Sequence, residues 1–252
     1  LGSAGAAQAP ASVHPGAVYL HQGESYVVDS LDFEDGIAFV HAEDPGYTTF
    51  ARELTDIDVT GQGERREHGS VTVGLVPVSV RNTVTGYLRR RLDGEVIDFI
   101  ELEMPTRTLE TMAAMCTVTP EALQDSGIDP LRIPGSLHAA EHAAIGLLPL
   151  LASCDRGDIG GVSTAVGPVG GLPTIFVYDG YPGGAGFAAR GFRTMSTWWE
   201  ATASAIEACE CPTGCPSCVQ SPKCGNGNDP LDKDGAVRVL RLVVGALTDR
   251  ER

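Results

Sequence analysis

Residues 209–224 have the sequence CECPTGCPSCVQSPKC, which contains five of the seven cysteines of the chain. Successive cysteines in it are separated by one, three, two and five residues. Thiolates at these spacings can surround one Zn²⁺ ion tetrahedrally, with Zn–S bonds of ~2.3 Å. Gly214 and the neighbouring prolines favour the tight turns that direct several sulfurs to one point. Because no histidine lies within this stretch, the pattern indicates a closed, structural zinc site rather than a catalytic one.

Five cysteines compete for the four ligand positions of such a site. Cys215 and Cys218 form the central C-x-x-C pair, and Cys211 lies shortly before them. Spacing alone allows either Cys209 or Cys224 as the fourth ligand, although Cys209 ends a predicted helix and would be well positioned by it. Disulfides or free thiols at the surface are one alternative, and an iron–sulfur cluster is another, because four cysteines also hold such clusters.

The chain is acidic. Its 252 residues include 18 Lys and Arg against 33 Asp and Glu, a formal net charge of −15. Such a protein repels the phosphates of nucleic acid at long range. Contact with nucleic acid would therefore need a local basic strip, for which Arg89, Arg90 and Arg91 are the candidates. The alternative for the same run is an exposed strand end.

Neither a membrane span nor a secretory signal is apparent in the sequence. No stretch approaches the ~18–20 consecutive apolar residues that a spanning helix requires. Residues 1–16, LGSAGAAQAPASVHPG, lack the basic flank and the apolar core of a signal peptide. Without a signal peptide, crowded cysteines favour metal binding over disulfides, so we expect a cytoplasmic protein with no membrane partner.

The hydrophobic pattern predicts an α+β fold, with a β-rich N-terminal part followed by an α/β part that carries the tetracysteine zinc site. Residues 1–16 are expected to be a flexible lead-in, and 17–105 a β-rich accessory region of short alternating strands. Residues 106–252 are expected to form the zinc-binding α/β domain. Its predicted elements are helices at 106–115, from Pro120, at 136–151 with Ser136 as N-cap, at 187–208 and from about Pro230, with a buried strand at 172–178.

A second candidate metal motif lies in the Ala-rich helix. His138, Glu141 and His142 match H-x-x-E-H, in which two histidines one helical turn apart hold zinc and the glutamate acts as base. Three fixed residues in five recur by chance, and the surrounding apolar helix suggests packing and hydrogen bonds instead. We therefore expect these histidines not to hold a catalytic metal, and a zinc-dependent hydrolase is kept only as an alternative function.

Two further motifs have an ordinary explanation and a functional one. Residues 178–187, YDGYPGGAGF, connect a predicted strand to a predicted helix, where backbone amides can bind phosphate. A closely packed turn explains the same glycines, and the lysine of a phosphate-binding loop is missing. Trp198 and Trp199 can stack on nucleic-acid bases, but packing in the core is the expectation.

Four strings occur in order: AVYLHQGESYVV, LHAAEHA, FVYDGYPGGAGF and CECPTGCPSCVQSPKCGNGNDPLDK. Together they resemble the C-terminal module of the MrfA/SftH-type DNA helicases of superfamily 2, and the last one resembles their zinc-binding (MZB) domain. The resemblance implies a parent protein that is an ATP-driven 3′-to-5′ DNA translocase and helicase linked to DNA repair. The chain departs from the complete family pattern because it has no Walker A lysine motif and no D-E-x-H box.

The resemblance also favours one ligand set. The shared core of such modules resembles C-x-C followed by C-x-x-C, which implies Cys209, Cys211, Cys215 and Cys218 as the zinc ligands, with Cys224 as the alternative fourth. It further implies an accessory, non-enzymatic role, with the parent's upstream ATPase domains as partners and single-stranded DNA bound through the full-length protein. We expect a monomer. An acidic protein-interaction module is the remaining alternative.

Overall fold

The computed structural model describes residues 1–6, 8–222 and 224–248. Residue 7 of the predicted lead-in and residues 249–252 of the predicted zinc-binding part lie outside this description. The fold is α+β, as predicted: strands dominate as far as residue 118, and an α/β part follows. The chain divides into two compact units, residues 1–55 with 82–107 and residues 56–81 with 108–252.

The first unit contains a three-stranded antiparallel sheet of β1 (Val18–His21), β2 (Glu24–Asp32) and β3 (Ile37–Ala42). The short helix α1 (Ala9–Ser12) precedes it. Val13 and Ala17 are buried against Val28 of β2, and the His14 ring contacts Tyr87 with the ring centroids 4.5 Å apart. The expected lead-in thus contains a helix and buried side chains.

A larger sheet has the strand order β4-β6-β8-β10-β9, with β5 and β7 also pairing with β6. Its strands are β4 (Tyr47–Val59), β5 (Glu64–His68), β6 (Val71–Arg91), β7 (Val96–Glu101), β8 (Arg107–Val118), β9 (Ile159–Thr164) and β10 (Thr174–Asp179). Strand β10 pairs antiparallel with both β8 and β9.

The second unit contains the helices that surround the candidate site. They are α2 (Pro120–Asp125), α3 (Ile133–Leu147), α4 (Pro149–Ala152), α5 (Phe187–Arg193), α6 (Met195–Ala208) and α7 (Lys233–Thr248), with a 3₁₀ turn at Pro130–Arg132. Helix α3 packs against α6, α7 and β9, so it lies at the centre of this unit. None of the helices in the described part of the chain combines the length and the apolar character that a membrane-spanning helix needs.

Strand β10 shows how the second unit is layered. Successive side chains of a strand point to opposite faces. Ile175 and Val177 accordingly belong to the core cluster that contains the helices, whereas Phe176 belongs to a second cluster with Val76 and Met115. Both faces of the strand are buried, which explains the continuous apolar run that predicted it.

Several sequence-based expectations change in detail. The helix expected at 106–115 is wrong, because Arg107–Val118 is the strand β8. Ser136 is not an N-cap, because α3 begins at Ile133. The single helix expected at 187–208 is divided at Thr194 into α5 and α6. The assignment of residues 1–16, 17–105 and 106–252 to a lead-in, a β-rich accessory region and a zinc-binding domain stays a prediction.

Candidate metal centre

Four sulfurs converge in the loop between α6 and α7. Cys209 Sγ lies 3.6 Å from Cys211 Sγ and 3.6 Å from Cys215 Sγ. Cys218 Sγ lies 3.5 Å from Cys211 Sγ and 3.8 Å from Cys215 Sγ. All four cysteines are half-buried and none forms a disulfide. The ligand atoms therefore surround one point.

The spacing of the sulfurs fits a single ion. A tetrahedral centre with Zn–S bonds of ~2.3 Å sets its sulfurs ~3.8 Å apart, close to the 3.5–3.8 Å between Cys218 and its two neighbours. Disulfide sulfurs would be ~2.05 Å apart. In an iron–sulfur cluster, thiolates that bind different irons would lie farther apart than this.

A tight turn positions the C-x-x-C pair. The Cys215 carbonyl accepts the backbone N–H groups of Cys218, Val219 and Gln220 at 3.0, 3.2 and 3.1 Å. The Cys215 N–H in turn donates to Cys218 Sγ at 3.3 Å. Gly214 enters this turn with φ of +119°, and a Cβ there would lie 2.6 Å from Val219 Cγ2. A glycine is therefore required at position 214.

Lys233, the first residue of α7, holds the C-x-C segment. Its Nζ donates to the carbonyl oxygens of Cys209 at 2.5 Å and of Cys211 at 2.7 Å. The prediction from the sequence did not include this residue. The signal that could have identified it is its position shortly after the cysteine cluster, in a chain with only two lysines.

The thiols differ in acidity without a metal. Backbone hydrogen bonding from Ser217, with further contributions from the other thiols, lowers the pKa of Cys215 to about 7. Burial raises the pKa of Cys218 to about 12. Because burial opposes ionisation at Cys218, a cation at the centre is what would hold all four groups as thiolates.

Cys224 belongs to a different group. Its Sγ lies 3.4 Å from His138 Nε2, and the ligand atoms of Cys224, His138 and His142 are all within 4.8 Å of one another. Burial opposes ionisation of Cys224, but hydrogen bonds from His138 and His142 outweigh it and lower its pKa to about 5. The structure therefore brings Cys209, and not Cys224, to the other three cysteines of the loop.

Glu141, the glutamate of the H-x-x-E-H motif, is buried against strand β9. Its carboxylate bonds to Ser163 of β9, and a Cβ on Gly161 would lie 2.6 Å from Glu141 Oε1. Burial raises the pKa of this carboxyl, partly offset by the nearby His142. The carboxylate is therefore engaged by Ser163 and packed against Gly161 of the sheet.

The glycine-rich loop after β10 already binds an anion of its own chain. One carboxylate oxygen of Asp179 accepts the N–H groups of Ala185 and Gly186 at 2.6 and 2.7 Å, and the other accepts that of Ala188 at 2.6 Å. These are the amides that would bind a phosphate at the start of α5. The closely packed turn is therefore the correct interpretation.

The other two candidate regions are also engaged. Arg89 pairs with Asp98, Arg91 pairs with Glu95 at 3.3 Å, and the Arg90 guanidinium lies 5.0 Å from the centroid of the Phe50 ring. Their role in binding nucleic acid stays a prediction. The expectation for the tryptophans is confirmed, since Trp198 and Trp199 are buried in the core.

Comparison with known proteins matches this site to a family. A sequence model of the MZB family, described as the MrfA Zn-binding domain, matches residues 140–219. The crystal structure of the DUF1998 helicase MrfA bound to DNA matches 94% of this chain with a TM-score of 0.66 and 29% sequence identity, and the chain covers 31% of that structure. The chain belongs to the MrfA-type zinc-binding family.

Two curated relatives match different shares of the chain. The uncharacterised ATP-dependent helicase YprA of Bacillus subtilis is 32% identical over 216 residues, which are 82% of this chain and 27% of YprA. The uncharacterised protein MJ1572.1 of Methanocaldococcus jannaschii is 35% identical over 111 residues, which are 43% of this chain and 99% of that protein. The chain thus spans about a quarter of the helicase.

The MrfA Zn-binding match and the four-cysteine cluster together identify the cofactor as structural Zn²⁺.

Proposed function

We propose that Cys209, Cys211, Cys215 and Cys218 bind one structural Zn²⁺, and that the chain is the C-terminal accessory module of an ATP-dependent 3′-to-5′ DNA translocase and helicase. The observation that carries the ligand assignment is the set of Sγ–Sγ distances of 3.5–3.8 Å around one point. Four protein ligands leave no open position, so the ion stabilises the loop and performs no chemistry.

The helicase part of the proposal is supported by the relatives. YprA is named an ATP-dependent helicase, and MrfA was crystallised with DNA. This chain spans only part of either protein, so the upstream ATPase domains of the parent are its proposed partners. Its proposed role in the full-length protein is to help guide single-stranded DNA. The link to DNA repair and the monomeric, cytoplasmic state are further proposals that rest on the resemblance and on the composition.

The alternative of a zinc-dependent hydrolase has the geometry of Glu141 against it. A general base must reach the metal-bound water, whereas this carboxylate is buried and bonded to Ser163. The acidic net charge of −15 is compatible with a protein-interaction module, but no contact in the described residues favours it.

Zinc measurement on single variants tests the ligand set. We expect Cys209→Ser and Cys211→Ser each to lose one zinc per chain relative to the unmodified chain, and to lose stability because zinc binding contributes to folding. Cys154→Ser is the matched control, since Cys154 is half-buried and belongs to neither cysteine group. Full zinc retention by Cys209→Ser would contradict the assignment.

The accessory role is tested in the parent helicase. We expect Cys211→Ser there to reduce DNA unwinding, while the present chain alone hydrolyses no ATP with or without DNA. DNA-stimulated ATP hydrolysis by the chain alone would show that the role has been misassigned.

A further inference from the structure

Three metal-ligating side chains outside the four-cysteine centre converge between α3 and the segment that precedes α7. We propose that His138, His142 and Cys224 form a second zinc site, separate from the four-cysteine centre. Their ligand atoms lie within 4.8 Å of one another. His138 and Cys224 both lie outside the residues 140–219 that the family match covers.

The helix sets the two imidazoles side by side. Residues four apart lie on the same face of a helix, and the ring centroids of His138 and His142 are 4.3 Å apart. Cys224 then approaches from the other segment, with its Sγ 3.4 Å from His138 Nε2. A tetrahedral zinc with Zn–S of ~2.3 Å and Zn–N of ~2.05 Å sets sulfur and nitrogen ~3.6 Å apart, so this pair already has the required spacing.

Both imidazoles are held in the tautomer that binds metal. His138 Nδ1 lies 2.9 Å from the Pro230 carbonyl oxygen, and His142 Nδ1 lies 2.9 Å from that of Val219. A carbonyl oxygen can only accept, so Nδ1 carries the proton in each ring and the neutral ring presents the Nε2 lone pair. Metal-ligating histidines are oriented by this same second hydrogen bond.

The thiol is oriented as well. The Asn228 N–H donates to Cys224 Sγ at 3.2 Å. The Asn228 side chain fixes this turn, because its Oδ1 accepts the Ser221 N–H at 2.7 Å and its Nδ2 donates to the Ser221 carbonyl at 3.0 Å. Asn228 itself has φ of +64°, a conformation that asparagine tolerates better than most residues. The turn thus presents the sulfur to the histidines.

The chemistry of the three donors selects the ion. Two imidazole nitrogens and one thiolate are ligands that Zn²⁺ accepts, and hard ions such as Mg²⁺ and Ca²⁺ do not favour them. Two nitrogen lone pairs and a sulfur directed at one point repel one another unless a proton or a cation lies between them. Three protein ligands leave the fourth position to a water molecule. This proposal departs from the expectation, drawn from the sequence, that the two histidines make only packing contacts and hydrogen bonds.

This site would cross-link parts of the second unit that are far apart in sequence. His138 and Cys224 are separated by 86 residues. The carbonyls that orient the histidines belong to Val219, next to the last ligand of the first centre, and to Pro230, shortly before α7. A zinc ion here would therefore fix α3 to the chain on both sides of Cys224.

The first test uses the unmodified chain and needs no substitution. Zinc per chain is measured after purification without chelators, and X-ray absorption at the zinc edge identifies the ligands. We expect two zinc ions per chain. The absorption spectrum, which averages over both ions, should show sulfur and histidine nitrogen as ligands. One zinc with a shell of sulfur alone would overturn the proposal. One zinc with two nitrogens and one sulfur would support this site and contradict the four-cysteine centre, so the two assignments fail separately.

The second test compares matched cysteine variants. Cys224→Ser should lower the zinc content from two ions to one and remove the histidine signal from the absorption spectrum, while Cys154→Ser keeps both. His142→Gln should behave like Cys224→Ser, with His41→Gln in the first unit as its control. If Cys224→Ser retains two zinc ions, or loses none of the histidine signal, the three residues form a metal-free hydrogen-bonded cluster and the inference is wrong.

Discussion

Lys233 is not a zinc ligand, but its side chain supports the four-cysteine centre. Its ammonium group bonds to the carbonyls of Cys209 and Cys211, the two residues of the C-x-C segment. Four thiolates around Zn²⁺ carry a net negative charge, which a neighbouring cation offsets. Loss of a group that orients the ligands in this way typically lowers metal affinity by about 10–100-fold.

We expect Lys233→Met to weaken zinc binding by about 10-fold or more, in the range typical of such outer groups. Hydrogen bonds to charged groups contribute about 1.5–3 kcal/mol, so the free energy of unfolding should fall by a similar amount. Competition with a chromogenic zinc chelator and urea denaturation measure the two effects. Arg238→Met on the same helix is the control for zinc binding, because its guanidinium bonds to Asp234 and to the Ser126 carbonyl rather than to the cysteine loop. Equal zinc release from both variants would contradict the role of Lys233.

The two metal-ligand groups differ in how far the sequence could predict them. The four cysteines lie within residues 209–218, where spacing alone indicates convergence. Cys224 lies only six residues beyond Cys218, yet its partners are 82 and 86 residues away on α3. The local sequence does not indicate which helix packs beside the turn that contains Cys224. For this reason, the cysteine spacing alone allowed either Cys209 or Cys224 as the fourth ligand.

At the scale of elements, the predictions succeeded where local signals decide the structure and failed where tertiary context does. The buried strand β10 and the short helix from Pro120 were predicted correctly, because an apolar run and an N-terminal proline are local signals. The segment of β8 was predicted as a helix because Leu, Glu, Met and Ala favour helices. It is a strand because it lies between β6 and β10 in the sheet, and that packing outweighs intrinsic propensity.

The contact between α3 and α7 is the element-scale feature that supports both metal-ligand groups. Gly235 of α7 lies so close to α3 that a Cβ there would be 1.9 Å from Ser136 Oγ. Gly135 of α3 approaches Asp232 in the same way, with a Cβ 3.4 Å from its backbone nitrogen. Small residues on both sides allow the start of α7, and with it Lys233, to reach the metal loop.

Gly235→Ala is expected to destabilise the chain although alanine is the better helix former. Overpacking at such a contact costs about 1–3 kcal/mol, which exceeds the gain of about 0.5–1 kcal/mol from replacing a helical glycine. Gly245→Ala on the same helix is the matched control, because a Cβ there meets no atom within 4 Å. It should stabilise by about 0.5–1 kcal/mol. Thermal and urea unfolding of both variants measure the difference, and stabilisation by both would show that the close approach is not a constraint.

At the scale of the whole molecule, charge limits what the chain can do alone. The net charge of −15 opposes contact with nucleic acid. Two of the three residues in the basic run, Arg89 and Arg91, already pair with carboxylates of their own unit. Under the proposed function, the guiding of single-stranded DNA would therefore need surfaces outside this chain, such as those of the proposed upstream ATPase domains.

We expect the isolated chain to bind single-stranded DNA weakly, with a dissociation constant no tighter than the ~10⁻⁴–10⁻⁶ M typical of non-specific contacts at physiological salt. The logarithm of the binding constant falls with the logarithm of salt concentration with a slope of about −0.7 per phosphate neutralised on single strands. Three arginines would therefore give a slope no steeper than about −2. Fluorescence anisotropy with a labelled oligothymidine between ~50 and ~200 mM salt measures both quantities. Replacing Arg89, Arg90 and Arg91 together by Gln should reduce the slope toward zero. The control is Arg65→Gln with Arg66→Gln, at two adjacent arginines of β5, which should leave the slope unchanged. Nanomolar binding at the higher salt concentration, or a slope that survives the triple substitution, would show that another surface of this chain binds DNA.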